Sequence, residues 1–189
     1  METRIELKEG DTLIVTAVAK APAPEPTPQP EQDLEILLKI GDVNIYQSLD
    51  ESYVCFKSDL DICNDGSGPS HDDSSYQSQT AYWNGGKFLN ADVDKYIVVP
   101  PQIRSMTAGV VMGCQAKLTN LDTGVETPAV VGDIGPSSKT GEAAYCAAKI
   151  VNPSIGHNTG DTKQIYLYEL WPDVPAVVDG KTYKLEPAG

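Results

Sequence analysis

Proline occupies every second position from Pro22 to Pro30, in the run Ala21-Pro22-Ala23-Pro24-Glu25-Pro26-Thr27-Pro28-Gln29-Pro30. A proline ring fixes φ at about −65° and removes a backbone donor, so this stretch can be neither helix nor central strand. It predicts an extended polyproline-type spacer rising ~3.1 Å per residue. The chain is thereby cut into three: an N-terminal segment over residues 1–20, a proline-rich linker over 21–33, and a domain over 34–189. In the first segment, Arg4-Ile5-Glu6-Leu7-Lys8 alternates polar and apolar residues, Glu9-Gly10-Asp11 reads as a turn, and Thr12 to Val18 reads as a second strand. A lone two-stranded hairpin is marginal in water. This one is therefore expected to need a partner surface, with the proline arm holding two modules apart.

Charge narrows the partners. Asp and Glu number 27 against 14 Lys and Arg, for a net charge of −13. Nucleic acid requires basic patches and is excluded; a cationic substrate is compatible. Nine Tyr against two Phe and two Trp suit half-buried strand faces and sugar-stacking surfaces. The start, Met1 to Lys8, has no apolar signal-type region. Apolar runs fall far short of the ~20 residues that span a bilayer, so no membrane insertion is expected. Cys55, Cys63, Cys114 and Cys146 lack CxxC spacing, which argues against a metal or redox site; they allow three disulfide pairings, and read as buried free thiols if assembly takes place in a reducing compartment.

Within the domain, Leu34–Ile40 and Val43–Tyr46 flank a Gly41-Asp42 turn, and Tyr53–Phe56 is a further strand. Tyr96–Val99 runs apolar into Pro100-Pro101 as a buried strand with a hard stop. Gly109–Leu118, Thr127–Gly132 and Gln164–Leu170 complete the strand set. The clearest helix is Glu142–Ile150, with Thr140 as N-cap and Asn152-Pro153 as terminator. Many short strands and one main helix predict a mainly β (α+β) fold: a small closed β-barrel, double-psi-like.

Two acidic residues stand out. The run Ala129-Val130-Val131-Gly132-Asp133-Ile134-Gly135-Pro136 delivers Asp133 to the end of an apolar strand, between glycines that let a ligand approach the backbone. Burial there is expected to raise its pKa. Glu142 falls in the first turn of the predicted helix, where the dipole is expected to lower its pKa. Carboxylates pushed in opposite directions suit acid/base hydrolysis of a glycosidic bond, with Asp133 as acid and Glu142 as the base that activates water. Dipole complementation and a plain turn are the structural alternatives for the same two residues.

Val130-Val131-Gly132-Asp133-Ile134-Gly135-Pro136 followed by Gly141-Glu142-Ala143-Ala144 resembles the signature of the family 75 glycoside hydrolases, the fungal-type endo-chitosanases. In that family an Asp in a D-[IV]-G-P motif and a Glu in a following G-E motif are essential. Three collinear blocks agree with it: Lys57 to Ser67 with the family's acidic block, Gln77-Ser78-Gln79-Thr80 with its Q-x-x-T block, and Lys95 to Pro100 with its P-Y-I-V-L-P strand. The resemblance implies an endo-acting, inverting hydrolase of an amino-sugar polymer that needs no metal or organic cofactor. It implies that Asp133 and Glu142 are catalytic and that Asp59, Asp61, Asp65, Gln79, Thr80 and Tyr96 bind substrate.

Other readings stay open beside this one. The Asp59/Asp61/Asp65 block is alternatively a calcium loop or a solvated acidic loop. Tyr82 and Trp83 suit sugar stacking or core packing, and His71 and His157 read as surface residues. The N-terminal hairpin and arm suggest a tether to a larger assembly such as a bacteriophage capsid or tail. On that reading the protein is cytoplasmic during assembly, and then virion-borne or released without a classical signal. The substrate is then peptidoglycan or capsule, or the domain is a non-catalytic glycan-binding decoration or adhesion module.

Overall fold

The structure, a computed structural model, describes residues 34–84 and 86–186. The expected N-terminal hairpin and proline-rich arm lie outside the described residues. The strands are β1 (Leu34–Ile40), β2 (Val43–Ser48), β3 (Val54–Cys63), β4 (Trp83–Asn84), β5 (Lys87–Phe88) and β6 (Tyr96–Val99). After helix α1 (Pro101–Met106) come β7 (Cys114–Asn120), β8 (Glu126–Ile134) and β9 (Glu142–Ala144). Helix α2 (Tyr145–Val151) precedes β10 (Asp161–Pro175), β11 (Val177–Val178) and β12 (Lys181–Thr182).

Six strands close on themselves in the order β3-β10-β7-β8-β6-β9, with β9 returning to β3. The expected closed barrel is therefore what the chain forms. Two of its pairings are parallel, β3 with β9 and β6 with β8; the other four are antiparallel. Ten-residue β3 serves two neighbours along one edge. Val54–Phe56 pair with β2, and Asp61–Cys63 pair with β9. The β1–β2 hairpin is thus an annex hung on the first part of β3.

Apolar side chains from every barrel strand fill the core, among them Phe56, Leu60, Tyr96, Ile97, Leu118 and Tyr168. Phe56 and Tyr168 stack with ring centroids 4.9 Å apart, within the range for offset aromatic pairs. All four cysteines are free thiols, three of them buried. No helix among the described residues is long and apolar enough to cross a membrane.

Two local expectations change. Pro100-Pro101 does end β6, but Pro101 also opens α1 at its first turn, where a missing N–H is harmless. The helix predicted over Glu142–Ile150 begins only at Tyr145. Residues 142–144 are drawn into the barrel between β3 and β6, so tertiary pairing overrides the helical preference of two alanines. The helix is capped by Ala144 with no side-chain bond. The hydroxyl of Thr140 instead lies 3.0 Å from that of Ser58.

Candidate active site

The two acids meet because β6 lies between their strands. Val98 pairs with Asp133 of β8 on one side and with Glu142 of β9 on the other. In-register neighbours present their side chains to the same face. Asp61 of β3 pairs in turn with Glu142. Asp61, Glu142, Val98 and Asp133 thus form one row across four strands. Strands lie ~4.8 Å apart, so the Cα atoms of Asp133 and Glu142 are separated by roughly 10 Å.

A β-bulge sets the position of Asp133. Ile97 pairs with Val131 and Val98 with Asp133, so Gly132 is the extra residue. The bulge frees the Gly132 carbonyl from the ladder, and the N–H of Tyr82 donates to it at 3.0 Å. The same segment brings the N–H of Ala81 to Oδ1 of Asp133 at 2.8 Å, and the N–H of Ile134 reaches that oxygen at 2.8 Å. A Cβ at Gly132 would lie 2.6 Å from Cβ of Tyr96, so this close approach requires glycine.

Both acids border a cavity of about 420 Å³, with Val98, Gly135, Pro136 and Lys139 also on its wall. A Cβ at Gly135 would stand 3.0 Å from Cγ1 of Val98 and 3.5 Å from Oε2 of Glu142, so a side chain there would crowd the wall between the acids. A second lobe of about 280 Å³ shares Ser75, Lys139 and Glu142 with the first, and extends to Asp61, His157 and Asn158. Glu142 therefore stands at the junction of a two-lobed cleft. Asp61, Asp65, Asp73, Asp133 and Glu142 set five carboxyl groups in it against one lysine. That lysine, Lys139, forms an ion pair with Asp61.

Burial raises the pKa of both acids. Asp133 is lifted to about 6, chiefly by desolvation, against the lowering effect of the N–H groups of Ala81 and Ile134. Glu142 is lifted to about 7 by desolvation, with Lys139 opposing and Asp65, Asp133 and Asp61 adding to the rise. The expectation for Glu142 is thus corrected. It lies in a strand rather than a helical first turn, no dipole favours its anion, and its pKa goes up rather than down.

The remaining expected site residues divide. Asp65 and Asp61 border the cleft. Asp65 accepts the N–H of Gln77 at 2.6 Å. Asp59 shares the Asp61 face of β3 but opens into a separate depression beside Ile40 and Thr140. Gln79 is exposed and is not on the cleft wall; Gln77 is. Thr80 is buried, donating to the Tyr82 carbonyl at 3.0 Å and accepting the N–H of Leu89 at 3.1 Å. It shapes the turn that carries Ala81 to Asp133 and is not on the cleft wall. Tyr96 is fully buried, and its hydroxyl donates to the Asp65 carbonyl at 2.8 Å. It therefore lies behind the cleft wall and holds the Asp65 backbone in place. Tyr82 packs in the core, whereas Trp83 is exposed and meets Phe88 edge-on.

The sequence reading did not single out Lys139, Ser75 or Asn158. Lys139 lies three residues before Glu142 in a Ser/Lys/Thr loop, with no local signal that it faces the cleft. His71 and His157, read as surface residues, are about three-quarters covered and stack on one another with ring centroids 3.4 Å apart. No family model matches this sequence, and no curated protein matches it.

Proposed function

We propose that the domain is an endo-acting glycoside hydrolase that cleaves an amino-sugar polymer by inverting acid/base catalysis. The observation that carries this reading is the in-register pair Asp133 and Glu142, which flanks Val98 in a two-lobed cleft with both pKa values raised. A spacing of roughly 10 Å between Cα atoms leaves room for a water between the acids. Side chains that project from one face of the sheet keep roughly the spacing of their Cα atoms, which is nearer the ~6.5–9.5 Å between carboxyl groups of inverting enzymes than the ~5–5.5 Å of retaining ones.

Glu142, with its pKa raised to about 7, holds its proton over a wider pH range than Asp133 and is the acid. Asp133 is stabilised as an anion by two N–H donors and is the base, so the roles expected from sequence are exchanged. As the glycosidic bond breaks, Glu142 gives its proton to the leaving oxygen. Water attacks the anomeric carbon from the opposite face, and Asp133 takes the proton it releases. The products are an alcohol and a hemiacetal of inverted configuration. Proton exchange with solvent then restores both carboxyl groups.

The excess of carboxyl groups in the cleft supports an amino-sugar polymer as substrate. A cleft open at both lobes supports internal cleavage, because a chain can extend to either side of Glu142. The test is release of reducing ends from chitosan, chitin and purified peptidoglycan by the wild type, Asp133→Asn and Glu142→Gln. Cleavage of one polymer by the wild type and its loss in both variants is expected. Glycan binding with no reducing ends released would identify a binding module instead.

A further inference from the structure

Lys139 is the one lysine on the cleft wall among the described residues, and it borders both lobes. Its ammonium forms an ion pair with Asp61, the in-register neighbour of Glu142 on β3. The hydrogen bond to Asp61, together with the charges of Asp61, Glu142 and Asp59, outweighs burial and raises the Lys139 pKa. The cleft therefore carries a charged ammonium of its own, beside the residue assigned as the acid.

The loop that bears Lys139 is fixed on both sides of it. Before it, Nε2 of Gln102 donates to the Ser137 carbonyl at 2.6 Å. After it, the hydroxyls of Thr140 and Ser58 lie 3.0 Å apart, and the Gly141 carbonyl accepts the N–H of Asp61 at 2.6 Å. The side chain is not fixed in the same way. It is about half exposed, Asp61 is more than one-third exposed, and among the described residues Asp61 is the one carboxylate with which Lys139 pairs. A compact charge on a flexible four-carbon stem turns readily, and exposed ion pairs hold by a factor of about 5 at most. The ammonium can thus leave the wall with no movement of the backbone that carries Glu142.

The ammonium on Asp61 also shows what this wall accepts: a compact cation with three N–H donors. The protonated amine of a glucosamine unit is the same group. An N-acetylated unit presents a neutral amide with one N–H and brings no charge to replace the lysine. Two cations on one carboxylate would stand about 4 Å apart and repel, and the one on the free stem is the one that yields.

Taking the amino-sugar reading of the cleft as its basis, we propose that Lys139 is an internal competitor. It holds the cation position beside Glu142 while the cleft is empty or filled by neutral units, and it is displaced by a protonated amine of the polymer.

The test uses the full chain with Asp133→Asn, so that nothing is cut. Calorimetry at about pH 6, where a primary amine is protonated, measures binding of a glucosamine tetramer and of its fully N-acetylated counterpart. Adding Lys139→Met, which keeps the stem and removes the charge, should tighten the glucosamine tetramer by about 5-fold and change the N-acetylated one by less than about 2-fold. Lys139→Arg, which keeps a competing charge, should bind the glucosamine tetramer no more tightly than the parent. Unchanged or weaker binding of the glucosamine tetramer by Lys139→Met overturns the proposal. So does equal tightening of both tetramers, or no binding of the glucosamine tetramer by any form. Release of reducing ends by the wild type is scored separately, so a glucosamine polymer that binds in the expected pattern and is never cut overturns the hydrolase reading alone.

Discussion

Glu142→Gln separates catalysis from stability and gives the pKa argument a thermodynamic measure. The Glu142 carboxyl sits in the barrel wall with its pKa raised from 4.5 to about 7. At about 1.4 kcal/mol per pH unit, ionising it in the folded protein is less favourable than in the unfolded chain by about 3 kcal/mol. The folded state holds this proton where the unfolded state has lost it. Stability therefore falls as pH rises from 4.5 through about 7, and the full penalty applies above that. Glutamine keeps the shape of the side chain and has no charge to desolvate. The variant should be about 3 kcal/mol more stable than wild type at pH 8 and indistinguishable from it at pH 4. Urea unfolding at both pH values measures this as a shift in midpoint with unchanged slope. Titrating groups remote from Glu142 are common to the two proteins and cancel. A gain of equal size at both pH values, or none at pH 8, would refute the desolvation argument.

Three further outcomes follow from the same geometry. Activity on the cleaved polymer should trace a bell with flanks near pH 6 and pH 7, because Asp133 must be ionised and Glu142 protonated; a rate still climbing above pH 9 would rule out this pair. Lys139→Ala removes the cation that lowers the Glu142 pKa, so the alkaline flank should move upward in a pH series, while the melting temperature changes little because Lys139 is exposed. Gly141→Ala should destabilise by about 1–3 kcal/mol, or about 5 °C in thermal melting, since Gly141 has φ +88° and a Cβ there would lie 2.9 Å from the Asp59 carbonyl oxygen.

The barrel strands were legible where apolar residues run together. Tyr96–Val99 is read with the bounds it has, and the cores of β8 and β10 are found within a few residues of their ends. The pairing that unites the site was not legible. Strict alternation along β8 would place Asp133 on the face of Val131. The extra residue at Gly132 shifts the phase, and a glycine in a strand does not by itself say whether it is a bulge. Likewise, the alanines after Glu142 read as helix because the two strands that claim residues 142–144 are remote in sequence. The acidic block was legible as cleft-forming for Asp61 and Asp65. Its neighbours Thr80 and Tyr96 share the site's vicinity but serve its scaffold. Hydrogen bonds to Tyr82, Leu89 and Asp65 decide that, and no spacing rule reveals them.

The double use of β3 has a mechanical consequence. Val54–Phe56 hold the β1–β2 hairpin, whereas Asp61–Cys63, at the other end of the strand, hold β9 and with it Glu142. A pull applied at Leu34 loads β1, which among the described residues pairs only with β2. It peels that ladder open one pair at a time, from Leu34–Ser48 toward the Gly41-Asp42 turn. The hairpin's outer residues Leu34 and Ile36 are exposed, whereas Ile40 and Ile45 belong to the core, so force arriving at Leu34 meets the weakly held end of the hairpin before it reaches the barrel.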